Sequence, residues 1–272
     1  MTMQPPPGDH GKDDYPWWLV ALVAFAVVIS GVIIASDLYR QVFMTVVKGA
    51  GITVFVTVVA FALATLLGLA IALLGLSDSL VLRQVSRFYI ETIRGIPMLV
   101  LLFYVAFVGA PAFTALWNAA TAPLDSGGWL EPLQVRDVSL MWRAIIALMT
   151  GYAAFIAEIF RAGIQSVDDG QIEAAKALGL SRYRRFRHVV FPQAIRVIFP
   201  PLSNDFVAMV KDSSLVSVLG VSDITQMGKI YASGSFRFFE TYSIVTFIYL
   251  ILTIGLSLAL RKVEARMRRS RK

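Results

Sequence analysis

The chain has 272 residues, 57% of them apolar and only 16% charged, and its mean hydropathy of +0.69 excludes an ordinary soluble domain. A net charge of +7 and a pI near 9.8 would suit a nucleic-acid partner, but the lysines and arginines sit beside apolar runs, where they set membrane orientation instead. Cysteine is absent, which removes disulfides and thiolate metal sites, and two isolated histidines, His10 and His188, make no metal cluster.

A bilayer core of about 30 Å needs roughly 20 apolar residues in a helix. By that length the chain offers six spans, at 17–36, 50–76, 88–109, 140–160, 193–216 and 241–260, the fifth being the least apolar. The first span follows a leader with Asp9, Asp13 and Asp14 against a lone Lys12, so it reads as a retained anchor rather than a cleaved signal. Residues 110–139 form the longest outer connection, with Pro111, Pro123, Pro132 and Gly127-Gly128-Trp129, and read as loop. With both termini inside, sixteen of the 25 lysines and arginines face the cytoplasm and six face outward.

One polar stretch interrupts the oil. Residues 161–192 lie on the basic, cytoplasmic side, and their capping signals predict two short helices. Asp168 and Asp169 supply acceptors at the start of the first, and Gly179 ends it. Ser181 caps a second, basic helix carrying Arg182, Arg184, Arg185, Arg187 and His188, which Pro192 interrupts. Ala174 and Ala175 keep the first helix thin, while Glu173 offers a carboxylate to a cationic neighbour. Such a shape suits docking; it also suits an amphipathic hairpin lying on anionic headgroups.

Glu173-Ala174-Ala175, then Gly179, then Val189, Phe191 and Pro192, resemble in order and spacing the EAA coupling loop of permease subunits in binding-protein-dependent ABC importers. Phe191 stands where that family usually has Leu. Two further segments resemble the polar-amino-acid branch: Glu91-Thr92-Ile93-Arg94-Gly95-Ile96-Pro97, and Asn204-Asp205-Phe206 followed by Lys211-Asp212-Ser213-Ser214-Leu215. The resemblance implies an all-α integral membrane protein of the type I, MetI-like fold, with a five-helix core at 48–262, an extra helix at 17–36, and tails at 1–16 and 263–272. It implies a bacterial inner-membrane location, a second permease subunit, an extracytoplasmic substrate-binding protein and separate ATPase subunits that hold ATP and Mg. The ATPases would dock at Glu173, Ala174, Ala175, Gly179 and Pro192. Lipid surrounds such a chain, and nucleic acid has no place in it.

Within the fifth span, Arg196, Pro200, Pro201, Ser203, Asn204, Asp205 and Lys211 make a poor lipid-facing helix, because buried polar groups need partners. Two readings stand. Asn204, Asp205, Lys211, Ser213 and Ser214 border a substrate path whose charges suit a zwitterionic amino acid, or Asp205 and Lys211 close an intrachain ion pair and the serines cap a helix end. Glu91 with Arg94, and Glu158 with Arg161, read as helix-end ion pairs. Ala60, Ala64, Gly68 and Ala72 stack on one helix face and let another backbone approach.

No Gly-x4-Gly-Lys-Ser/Thr loop occurs, since Gly228-Lys229 has Asp223 where the first glycine belongs. Neither a nucleophile elbow nor a metal-spaced histidine pair is present. The chain therefore reads as a transport subunit without catalysis of its own. The alternative is a secondary transporter or channel driven by an ion gradient, with Asp205 and Lys211 as coupling groups.

Overall fold

The computed structural model describes residues 17–122 and 131–269, so the tail at 1–16, the turn residues Pro123 and Gly127-Gly128-Trp129, and the last three residues lie outside the described part. All regular structure among the described residues is helical. Five stretches are long and apolar enough to cross a membrane: Trp17–Ala35, Asp37–Gly75, Met98–Thr121, Leu140–Gln165 and Phe238–Met267.

The helix α1, Trp17–Ala35, is linked at Ser36 to α2, Asp37–Val46, and a short 3-10 turn joins α2 to α3, Ala50–Gly75. The span expected at 88–109 is displaced. Its first part belongs to α4, Leu80–Arg94, an amphipathic helix that stops at Gly95 because Pro97 forces its predecessor out of helical geometry. The apolar span starts only afterwards, as α5, Met98–Tyr104, a π-helical turn, Val105–Gly109, and α6, Ala110–Thr121. Residues 110–121, expected to be loop, are thus the second half of that span: Pro111 falls in the first turn of α6, where its missing N–H is harmless.

The core is built where α3 meets α7, Leu140–Gln165. Ala60, Ala64, Gly68 and Ala72 are all buried there, and a Cβ on Gly68 would sit 2.9 Å from the Ile156 side chain and 3.0 Å from the Ala153 carbonyl. The small-residue face is therefore used within the chain, where it brings two backbones together.

Arg143, in the first turn of α7, is 8% exposed and is satisfied by carbonyls alone. Its Nε donates to Val138 at 2.8 Å, Nη1 to Ala106 at 3.2 Å, and Nη2 to Val135. Ala106 lies in the π-helical turn, so this one side chain ties that irregular backbone to the start of α7.

Beyond α7 come α8, Asp169–Ala177, α9, Arg182–Arg185, a second π-helical turn, Phe186–Val190, and α10, Phe191–Asp212. A 3-10 segment, Ser213–Leu219, leads to α11, Ile224–Ser235, and α12, Phe238–Arg269, closes the chain. Pro192, expected to interrupt the basic helix, sits in the first turn of α10 instead. The π-helical turn before it, closed by the Phe191 N–H on the Phe186 carbonyl, lets the backbone run through. Pro200 and Pro201 likewise leave α10 unbroken, although a proline in a helix interior costs about 3 kcal/mol. The helix is held by its packing on α7 and α12, and the carbonyls of Arg196 and Val197 lose their usual helical donors. Although α10 has the length of a span, it is absent from the five apolar ones, and it runs between other helices of this chain.

Candidate functional site

The polar stretch at 161–192 folds as a capped hairpin mounted on two long helices. The α7 helix continues to Gln165, further than its apolar run, and ends where the Ser166 hydroxyl donates to the Gly163 carbonyl at 2.8 Å. Asp168 caps α8 by accepting from the Gln171 N–H at 3.2 Å. At the other end Gly179 has φ +73, the left-handed conformation that a Cβ disfavours. Its N–H donates to the Lys176 carbonyl at 2.9 Å, and the Leu180 N–H reaches back to Ala175 at 3.1 Å, the paired bonds of a Schellman stop. Ser181 then caps α9 by accepting from the Arg184 N–H.

The exposed surface of this hairpin carries Glu173 and Ala174, whereas Ala175 is 4% exposed and faces inward. Two docking candidates were not foreseen. Leu178 is 81% exposed and Tyr183 is 69% exposed, large apolar groups among arginines at the tip. The sequence signal for them is their place in the two turns flanking Gly179.

Beneath the hairpin, Val167, Val190, Ala194 and Ile198 form a buried cluster with Ile164 and Ile172 against it. The Gln193 amide donates to Gln171 at 2.6 Å, joining α10 to α8, and to the Val189 carbonyl at 3.0 Å. A Cβ on Gly163 would overlap the Ile198 side chain, so α7 and α10 touch at the base of the hairpin. A force applied to α8 is thus passed to both helices through packed atoms.

Of the five residues of the expected path, Asn204, Asp205 and Lys211 lie on α10 and Ser213 and Ser214 in the 3-10 segment after it, and they part company. Asp205 lines a cavity of about 250 Å³ between α5, α7 and α10, with Met98, Tyr152 and Asp212. Tyr152 donates its hydroxyl to Asp212 Oδ2 at 2.8 Å, while Asp205 Oδ2 is buried and has no hydrogen-bond partner among the described residues. Lys211 and Ser214 face a second cavity of about 400 Å³, whose other polar groups include Thr225, Tyr249 and Thr253. Asn204 opens into a third, about 50 Å³, beside Ser257 and Arg261 of α12. Ser213 is buried with its hydroxyl donated to Val210 at 2.8 Å.

Asp205 and Lys211 form no ion pair among the described residues, and they belong to different cavities. Glu158 and Arg161 are paired at 2.6 Å. Glu91 and Arg94 are not; the Arg94 guanidinium instead lies over the Phe155 ring, 5.4 Å from its centroid.

A polar knot lies beside the second cavity. Asp223 caps α11 by accepting from Gln226 at 2.8 Å and accepts from the Tyr249 hydroxyl at 3.1 Å. Burial pushes its carboxyl above the ordinary carboxylate value, against these hydrogen bonds, which pull it down. The Ile224 N–H donates to Thr53 at 3.2 Å, so α3, α11 and α12 meet there.

Comparison with known proteins agrees with this architecture. Residues 64–269 match the family model of the binding-protein-dependent transport system inner membrane component. The probable amino-acid permease protein YxeN of Bacillus subtilis (strain 168) is 37% identical over 212 residues, 78% of this chain and 86% of that one. The glutamine transport system permease protein GlnP of Escherichia coli (strain K12) is 33% identical over 222 residues, 82% and 92% of the two chains. A chain from the crystal structure of an amino acid ABC transporter with histidines superposes at a TM-score of 0.67, is 36% identical, and covers 84% of this chain and 95% of that one. The inward-facing MetNI methionine ABC transporter shares the fold at a TM-score of 0.60 with 18% identity, over 85% of this chain and 99% of that one. This chain belongs to the family of inner membrane components of binding-protein-dependent transport systems.

Proposed function

We propose that this chain is the permease of an ATP-driven importer for polar amino acids, paired with a second permease of the same or a similar kind. ATP and Mg are held by separate ATPase subunits, and an extracytoplasmic binding protein delivers the substrate. The observation that carries the reading is the hairpin of α8 and α9. It is rigidly capped, exposes Glu173, Leu178 and Tyr183, and is bolted to α7 and α10. The names of relatives at 33–37% identity support amino acids as the cargo.

In this mechanism, ATPase closure displaces α8, and α7 and α10 move with it as packed bodies. The cavity between them carries Asp205, Asp212 and Tyr152, acceptors suited to a substrate's ammonium group. Tilting α7 against α10 exposes that cavity to one side of the membrane or the other, as alternating access requires. Both termini and the hairpin lie in the cytoplasm, in keeping with the excess of Lys and Arg on that side.

Reconstitution into proteoliposomes with the ATPase and binding protein tests the reading. Uptake that requires ATP and is lost in Glu173→Lys supports it; uptake without ATP that survives Glu173→Lys overturns it in favour of an ion-driven transporter.

A further inference from the structure

The helix α1 has no buried residue, and it leans on the bundle unevenly. In its second half Ile29 and Ile33 pack against the cluster of Val42, Val46, Ile244, Val245 and Ile248. Its first half stays apart from α12, leaving a cleft of about 150 Å³ between Leu22, Val23 and Ala26 on one side and Ile251, Gly255 and Leu258 on the other. The cleft is thus closed at one end by Ile29 and Ile33 and runs toward the start of α1 and the end of α12. A Cβ on Gly255 would meet no atom within 4 Å, so the missing side chain widens the cleft.

The same face of α12 continues past the cleft. After Ile251, Gly255 and Leu258, steps of four residues bring Lys262 and Arg266 beneath it, both exposed. Arg261 and Glu264 turn the other way, into the small cavity beside Ser203 and Asn204 of α10. Trp17 and Trp18 begin α1 at this end, 71% and 54% exposed, at the place where amphipathic rings mark the headgroup level. An apolar cleft open sideways to a bilayer is a site for hydrocarbon, and paired cations at its mouth are a site for phosphate.

We propose that this cleft binds one acyl chain of an anionic phospholipid, with its phosphate headgroup held at Lys262 and Arg266. The lipid wedges α1 against α12 and completes the contact that Ile29 and Ile33 begin. This site is separate from the coupling hairpin and from the three cavities around α10.

Native mass spectrometry of the chain purified with its partners, from nanodiscs of equimolar phosphatidylglycerol and phosphatidylcholine, tests the assignment. The wild type retains phosphatidylglycerol in preference, and the double variant Lys262→Ala/Arg266→Ala loses roughly tenfold of it while retaining phosphatidylcholine unchanged. Gly255→Leu, which projects into open space, reduces retention of both lipids without disturbing the fold. Equal retention of the two lipids by the wild type, or unchanged phosphatidylglycerol in the double variant, overturns the headgroup site. Undiminished lipid in Gly255→Leu, or a disulfide between Ala26→Cys of two copies, overturns the cleft as its place.

Discussion

Gly163 on α7 and Ile198 on α10 are in such close register that the smallest side chain at 163 would overlap Ile198 Cγ1 and Cδ1. Their contact lies one helical turn above the hairpin of α8 and α9, and the same two helices flank the cavity of Asp205. Gly163→Val is therefore expected to force them apart, at about 1–3 kcal/mol for overpacking. The expected outcome is a lower melting temperature of the purified complex and fewer substrates moved per ATP hydrolysed. Adding Ile198→Ala frees the space and recovers much of both; failure of the pair to recover shows that the contact transmits nothing.

Gly179 holds φ +73 at the corner between α8 and α9. A β-branched residue there costs about 1–2 kcal/mol and moves the corner, whereas Asn tolerates the conformation. Gly179→Val is expected to insert into the membrane but to lose attached ATPase or coupled uptake, and Gly179→Asn to keep most of both. Co-purification and ATP-driven uptake read the two outcomes, and normal uptake by Gly179→Val removes the docking role.

Leu178 exposes an apolar side chain at the tip of the same corner. In the proposed ATPase contact a carboxylate there is taken out of water in place of an apolar side chain, at a cost of several kcal/mol. Leu178→Asp is expected to release the ATPase more completely than Leu178→Ala, with the folded chain still present in the membrane. Equal ATPase recovery from both variants would mean that Leu178 lies outside the interface.

Asp205 and Lys211 line different cavities on different faces of α10. Each alanine variant is expected to impair uptake while leaving the ATPase attached. Because the two share no contact, their losses should add to within about 0.5 kcal/mol when expressed as free energies of transport. A strongly non-additive pair would instead put both on one bound substrate. Tyr152→Phe removes the hydroxyl that Asp212 accepts and is expected to weaken uptake less than Asp205→Ala, since a single hydrogen bond contributes about 1 kcal/mol.

The hairpin was legible because its signals are local. Asp168, Gly179 and Ser181 act on backbone groups within four residues, so capping rules place both helices without knowledge of the rest. The third span was misjudged because hydropathy averages over a window and passes across Pro97, while the backbone restriction that Pro97 imposes is confined to one peptide. Pro192 and the pair at Pro200 and Pro201, which by propensity alone favour a break, leave the helix continuous for the opposite reason. Propensity penalises each locally, and packing against α7 and α12, together with the π-helical turn before Pro192, offsets the penalty.

Composition and capping in the amino-acid sequence already decided that the chain lives in a membrane and where its capped polar hairpin stands, because hydropathy and capping are properties of residues and their near neighbours. Which residues of α10 share a cavity was decided only in three dimensions. Residues 204, 205 and 211 all lie on one helix, yet its rotation turns Asp205 toward α5 and α7 while Asn204 and Lys211, two turns apart, face different levels of α12, and the helices waiting there determine what each can bind.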